Sequence, residues 1–239
     1  MDYKKSLLII ISVVMVLLIP IIIYAYNFDS VAFDKDFYQK EFLKQDVYRN
    51  LDGYDVDKIN NDVLNYLESK NNQLIKNNFF TEREKFHLLD VKNLIQKILV
   101  TYYFSLILFL LLFVMLIFLL SFDYKLIVER FFVVVFFGSL LTLIDAFLFF
   151  LLSNIDFNFV FDFFHKMLFS IGTYTFNPDF EKIVVLYPGN LFFAELIKII
   201  LKTILSSVIM LLVSLSVLFY FFKWNFLRFF SLVFRRKKH

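Results

Sequence analysis

Four long apolar runs leave this chain little choice of architecture. They cover residues 6–26, 99–122, 131–152 and 191–222. A bilayer core of ~30 Å is crossed by about 20 helical residues, so each run is long enough to span it. Inside lipid every backbone N–H and C=O must be satisfied within the protein, and an uninterrupted apolar run achieves this as a helix. The rest of the chain is too short to build a large soluble core. With 239 residues, 60% of them hydrophobic, and a mean hydropathy of +0.70, the sequence predicts an all-α integral membrane protein with four transmembrane helices.

The distribution of charge sets the orientation. Lys4 and Lys5 precede the first run, Lys125 and Arg130 lie between the second and third, and Lys223, Arg228, Arg235, Arg236, Lys237 and Lys238 follow the fourth. The positive-inside rule places these segments in the cytoplasm, so both termini are expected inside. The expected layout is a first anchor (1–26), an outer cap with the start of a long helix (27–98), helices two and three (99–152), an outer interfacial segment (153–190), and the fourth helix with a basic tail (191–239). The run Arg235-Arg236-Lys237-Lys238 is read as an anchor to the anionic inner leaflet, not a nucleic-acid patch. Tyr24-Ala25-Tyr26 lacks the small residue that precedes a cleavage site, so the first run is read as an uncleaved anchor, kinked at Pro20. Cysteine is absent, which removes disulfides, thiol nucleophiles and thiolate metal sites.

Between the first two runs, Phe33, Phe37, Tyr38, Phe42 and Leu43 recur at helical spacing, and so do Ile59, Val63, Leu64, Tyr66 and Leu67 after the Asp52-Gly53 turn signal. Two short amphipathic helices forming a small extracytoplasmic cap are expected. Thr81-Glu82-Arg83-Glu84 fits a capping box, with a hydroxyl at the N-cap and a carboxylate three residues later. No Pro or Gly follows until after Phe122, so one helix of about 40 residues is expected to begin outside and enter the membrane. Residues 157–171, rich in Phe but carrying Asp162, His165 and Lys166, are expected to form an interfacial helix ended by Gly172.

Three histidines occur, and His87 and His165 both fall on the expected outer side. His87 stands with Asp90 and Lys92 on the long helix, roughly 15–20 Å before its apolar part. An imidazole is a general base or a metal ligand, and a nearby carboxylate orients it. His165 neighbours Asp162 and Lys166. Each histidine taken alone reads more simply as a polar residue on an amphipathic helix. Asp145 is an ionisable residue deep in the third run and so a candidate by default. Glu195 with Lys198 or Lys202 is expected as an internal pair on the fourth. No HExxH, G-x-S-x-G, P-loop or GxGxxG motif is present. Two other classes stay open: a metal-dependent hydrolase with His87, Asp90, His165 and Glu181 as ligands, and a membrane scaffold without activity.

Three stretches carry a resemblance: Phe86-His87-Leu88-Leu89-Asp90-Val91-Lys92, Phe164-His165 with Phe169, and Gly172 to Pro178 with Leu186-Tyr187-Pro188 and Phe192-Phe193. Together they resemble the lipoprotein intramolecular transacylase (Lit) family of four-span membrane proteins of Gram-positive bacteria. A tryptophan usual in that family stands here as Tyr174, and a usual aspartate as Glu181, which marks a distant member. The resemblance implies an acyltransferase that moves the sn-2 acyl chain of a diacylglyceryl-cysteine to the cysteine α-amino group, giving the lyso-form lipoprotein. It implies His87 and His165 as the catalytic pair at the extracytoplasmic face of the plasma membrane, with no metal or other cofactor. Asp90, Lys92, Lys166, Tyr174, Glu181 and Asp145 are the expected supporting residues. The implied partners are a lipoprotein N-terminus and bilayer lipid, not nucleic acid. Ester aminolysis needs a base for the amine, a donor for the oxyanion and an acid for the leaving oxygen, duties that two imidazoles can divide in either order.

Overall fold

The computed structural model describes residues 3–71, 73–169 and 175–222. Every regular element among them is helical: α1 (Tyr3–Ala32), α2 (Lys35–Lys44), α3 (Val47–Asn50), α4 (Val56–Glu68), α5 (Glu82–Leu119), α6 (Tyr124–Ile155), α7 (Phe157–Leu168), α8 (Ile183–Leu186) and α9 (Gly189–Phe222). Four of them, α1, α5, α6 and α9, are long and apolar enough to cross a membrane. The Arg235–Lys238 run, Gly172 and Tyr174 lie outside the described residues.

The helices are longer than their apolar runs. α1 passes unbroken through Pro20 and continues beyond Tyr26 to Ala32. Asn27 and Val31 in this extension are buried, so packing carries the helix past the end of its hydropathy signal. α5 is the expected long helix, with 38 residues. Its first turn is tied by the capping box, with the Thr81 N–H donating to Glu84 at 2.6 Å and the Glu84 N–H to Thr81 Oγ1 at 3.3 Å.

The chain divides into two compact units. The first holds α1 up to Ile23, residues 104–146 and the later part of α9. Its core is a stripe on α1 at every fourth residue, Ile11, Met15, Ile19 and Ile23, packed with Leu116 and Val134. Gly138 permits a close helix approach: a Cβ there would stand 2.7 Å from Ile19 Cβ and 2.3 Å from its Cδ1.

The second unit spans residues 24–103 and 147–202. It contains the region expected to form two short helices, which is three: α2, the single turn α3, and α4. Aspartates cap the longer two, with Asp34 accepting from the Phe37 N–H at 3.2 Å and Asp55 from the Lys58 N–H at 3.0 Å. Their apolar faces, with Phe37, Phe42, Val47, Ile59 and Val63, share one core with Leu88 and Ile95 of α5 and with Ile183, Leu186 and Leu191. α7 ends at Leu168, three residues before the expected Ile171, and none of its residues is buried.

Glu195 does not form the expected pair with Lys198 or Lys202. Lys198 binds Asp34 at 2.7 Å and stands over the Phe37 ring at 4.5 Å. Lys202 donates to Ser30 Oγ at 3.1 Å. This part of α9 faces the α1–α2 junction, where the Asp34 oxygen not used to cap α2 takes Lys198.

Candidate active site

The site begins at the N-terminus of α5. Glu84 is fully buried, and the oxygen it does not use for capping accepts the Ile183 N–H at 2.7 Å. One carboxylate therefore starts α5 and fixes α8 to it. His87, on the next turn, is 8% exposed. Its ring packs against Phe169 and Phe176, at centroid distances of 5.3 and 5.2 Å. Burial, with the charges of His165 and Arg83 adding to it, lowers the His87 pKa to about 4, so the ring is neutral at physiological pH. Its Nδ1 is buried with no hydrogen-bond partner among the described residues.

His165 lies in the last turn of α7. Its Nδ1 is 2.8 Å from the Phe161 carbonyl one turn earlier. A carbonyl only accepts, so Nδ1 carries the proton, and in the neutral ring Nε2 is the basic nitrogen. Phe161, Phe164 and Phe169 surround the ring at 4.0, 5.6 and 5.4 Å. Burial lowers the His165 pKa, opposed by the Phe161 carbonyl and by Asp162. The two histidines thus meet at one aromatic ring, Phe169, although they come from α5 and α7.

A clamp holds the segment after residue 174 to α5. Arg83 Nη1 donates to both Glu181 oxygens, at 3.0 and 3.2 Å. Its Nη2 donates to the Thr175 carbonyl, and its guanidinium stands over the Phe176 ring at 5.1 Å. Glu181 also accepts the Asn177 N–H at 2.8 Å. Among the expected supporting residues, Glu181 is thereby placed beside the site through Arg83.

The others are elsewhere. Asp90 makes no hydrogen bond to His87 among the described residues, so it does not orient the imidazole. Lys92 sits about 140° around α5 from His87. Its ammonium is buried on Ser69 Oγ (2.7 Å), the Asn71 carbonyl (2.5 Å) and the Tyr66 ring (4.2 Å), tying the end of α4 to α5. Burial lowers its pKa. Lys166 pairs with Asp162 at 2.6 Å on the exposed side of α7. Asp145 belongs to the first unit, and Tyr174 is outside the described residues. The four-ligand set of the hydrolase reading is not gathered: no group of three or more His, Asp or Glu side chains among the described residues is placed to hold a metal, and Glu181 is committed to Arg83.

Sequence reasoning passed over Arg83, Phe169 and Phe176 as functional residues. Arg83 carried a usable signal, standing one helical turn before His87 on the same face. Phe176 falls in the Gly172 to Pro178 stretch of the resemblance, but its partners are distant along the chain and nothing local gives it a role.

The family model described as "Lipoprotein intramolecular transacylase Lit" matches residues 8–193. No curated protein matches the chain. The in meso structure of the membrane-integral lipoprotein intramolecular transacylase Lit from Bacillus cereus is similar with a TM-score of 0.73 and 22% identity, over 86% of this chain and 93% of that one. A histidine-to-alanine variant of the same B. cereus protein is similar with a TM-score of 0.72 and 21% identity, over 90% of this chain and 94% of that one. A histidine-to-arginine variant is similar with a TM-score of 0.72 and 20% identity, over the same shares.

Proposed function

Because the chain belongs to the lipoprotein intramolecular transacylase Lit family, we propose that His87 and His165 carry out acyl transfer within the diacylglyceryl-cysteine of a bacterial lipoprotein. The protein is an acyltransferase and a multi-pass membrane protein. The reaction takes the sn-2 acyl chain from the glycerol to the cysteine α-amino group, at the extracytoplasmic face of the plasma membrane. The observation that carries this reading is the pair of imidazoles packed on the one ring of Phe169.

The two rings suit different duties. With Nδ1 donating to the Phe161 carbonyl, His165 offers Nε2 as the base. The Nδ1 of His87, buried with no hydrogen-bond partner among the described residues, is better tolerated as a bare acceptor than as an orphaned N–H, which puts the proton on Nε2 and makes it a donor. His165 takes a proton from the amine as nitrogen attacks the ester carbonyl. His87 Nε2–H donates to the oxyanion that forms. The tetrahedral intermediate collapses, the carbon–oxygen bond to glycerol breaks, and the proton on His165 passes to the glycerol oxygen. An amide and an alcohol result, and both rings return to their starting states. Donor and acceptor are parts of one molecule, so the amine meets the ester at a high effective concentration.

α7 supports the membrane part of this reading. Phe159, Phe163, Phe164 and Met167 are exposed, while Asp162 and Lys166 pair on the same helix. Such a helix lies in the headgroup region with its phenylalanines among acyl chains, which brings His165 to the depth of the glycerol esters.

Mass spectrometry of lipoprotein N-termini tests the proposal in a host lacking other N-acyltransferases. Expression of the protein should convert the diacylglyceryl form to the N-acyl lyso-form. His87→Ala and His165→Ala should each reduce conversion by about 100-fold or more. An unchanged diacylglyceryl form with the wild-type protein would overturn the activity, and an active His165→Ala variant would overturn the assignment of the base.

A further inference from the structure

We propose that Arg83 is a positioning residue for acyl transfer: by gripping Glu181 and the Thr175 carbonyl, it holds the Phe176 ring against the His87 imidazole. This rests on the function proposed above. Arg83 and His87 occupy adjacent turns of α5, and Phe176 touches both, at 5.1 Å from the guanidinium carbon and 5.2 Å from the imidazole centroid. Glu181 is 98 residues away in sequence, so the ion pair ties two distant parts of the chain together one turn from His87. Arg83 uses both the fork and the face of its guanidinium here. Nη1 takes both carboxylate oxygens at 3.0 and 3.2 Å, Nη2 takes the Thr175 carbonyl, and the face takes the Phe176 ring. A lysine ammonium cannot reproduce that set, because it is a point charge without a planar fork.

Two consequences separate this role from ordinary stabilisation. The imidazole loses one wall of its slot if Phe176 is released, and catalytic geometry tolerates little drift: a misplacement of about 1 Å costs about 100-fold. Arg83 also adds a positive charge near His87. Among the described residues, the titratable and charged groups that act on that ring are Arg83 from its own helix and His165 from α7. Removing the Arg83 charge makes His87 easier to protonate.

The experiment measures lyso-form production by the full-length protein in detergent or in lipid vesicles, using a synthetic diacylglyceryl-cysteine lipopeptide, across pH 3.5 to 8, a range that includes the His87 pKa of about 4. Arg83→Gln should lower kcat at least 10-fold with KM changed less than about threefold, and should move the His87 step of the acid limb, near pH 4 in the wild type, to higher pH. Arg83→Lys should lower kcat but leave the acid limb where it is, since it keeps the charge and loses the fork. Glu181→Gln, which keeps the side-chain shape and removes the ion pair, should lie between Arg83→Gln and the wild type, and it decides the matter if Arg83→Gln does not fold. Wild-type kcat and an unshifted profile in the folded variants would overturn the positioning role. An inactive wild-type protein would instead overturn the transacylase reading itself.

Discussion

His87 and His165 meet through a third residue: both imidazoles pack on the ring of Phe169, at 5.3 and 5.4 Å between centroids. Phe169 is the C-cap residue of α7, in extended backbone, with its N–H donating to the His165 carbonyl at 2.9 Å. The residue that ends the helix carrying one histidine therefore forms a wall for the other.

Phe169→Leu keeps an apolar side chain but removes the shared ring. Acyl transfer should fall at least about 10-fold, while stability changes by about 1–2 kcal/mol, the usual scale of a modest change in core volume. Lipopeptide turnover and thermal unfolding in the same detergent give the two numbers. Activity that falls only in proportion to the folded fraction would sink the idea.

His87 should make stability depend on acid. Its pKa falls from the usual 6.5 to about 4 in the folded protein. Above pH 6.5 both states leave it neutral, and it contributes no pH dependence. Between pH 6.5 and pH 4 the unfolded chain takes up a proton that the folded chain refuses, so stability drops as pH falls, by about 3 kcal/mol at about 1.4 kcal/mol per pKa unit. His87→Phe should remove that component. Thermal unfolding of both proteins from pH 7 to pH 4 makes the comparison, and parallel curves would contradict the buried, neutral assignment.

Glu84→Gln should be as costly as a less conservative change. The carboxylate accepts two backbone N–H groups, from Thr81 at 2.6 Å and Ile183 at 2.7 Å. An amide has one acceptor oxygen, so one N–H would face an NH2 group in a buried place. A loss of about 1–3 kcal/mol is expected, read by thermal unfolding. Hydrogen exchange at the Thr81 and Ile183 amides would show which end was released, and unchanged protection at both would count against the bridge.

Gly138→Ala should destabilise the first unit. The added carbon would lie 2.7 Å from Ile19 Cβ, closer than packed carbons allow, and overpacking of this kind costs about 1–3 kcal/mol. Ile19→Ala in the same chain should restore part of the loss by removing the Cδ1 that would stand 2.3 Å away. A single variant that melts with the wild type would mean that α1 and α6 are free to separate at this point.

The helices were readable from hydropathy and capping. The four long runs predicted α1, α5, α6 and α9, and Thr81-Glu84 predicted where α5 begins. Both signals are local. Helix ends were less readable: α1 continues to Ala32 because Asn27 and Val31 bury themselves in the second unit, a gain that no window over residues 6–26 contains. The aspartates at 34 and 55 act as caps of α2 and α4, but the turn α3 has no periodic signal at its length.

The candidate site divides in the same way. His87 and His165 stood out because they are rare, lie outside the apolar runs and sit in stretches that resemble a family pattern. Asp90 and Lys92 were drawn in by nearness along the chain, and α5 sends Lys92 round to Asn71 while Asp90 stays unbonded to the ring. Phe176, Arg83 and Glu181 were brought together by the return of residues 175–186 onto the start of α5. Composition and periodicity report what each segment prefers on its own: to cross lipid, to coil, to stop. Which side chains touch depends on how separate segments pack and exclude water together, and that free energy belongs to pairs of residues as far apart as Arg83 and Glu181.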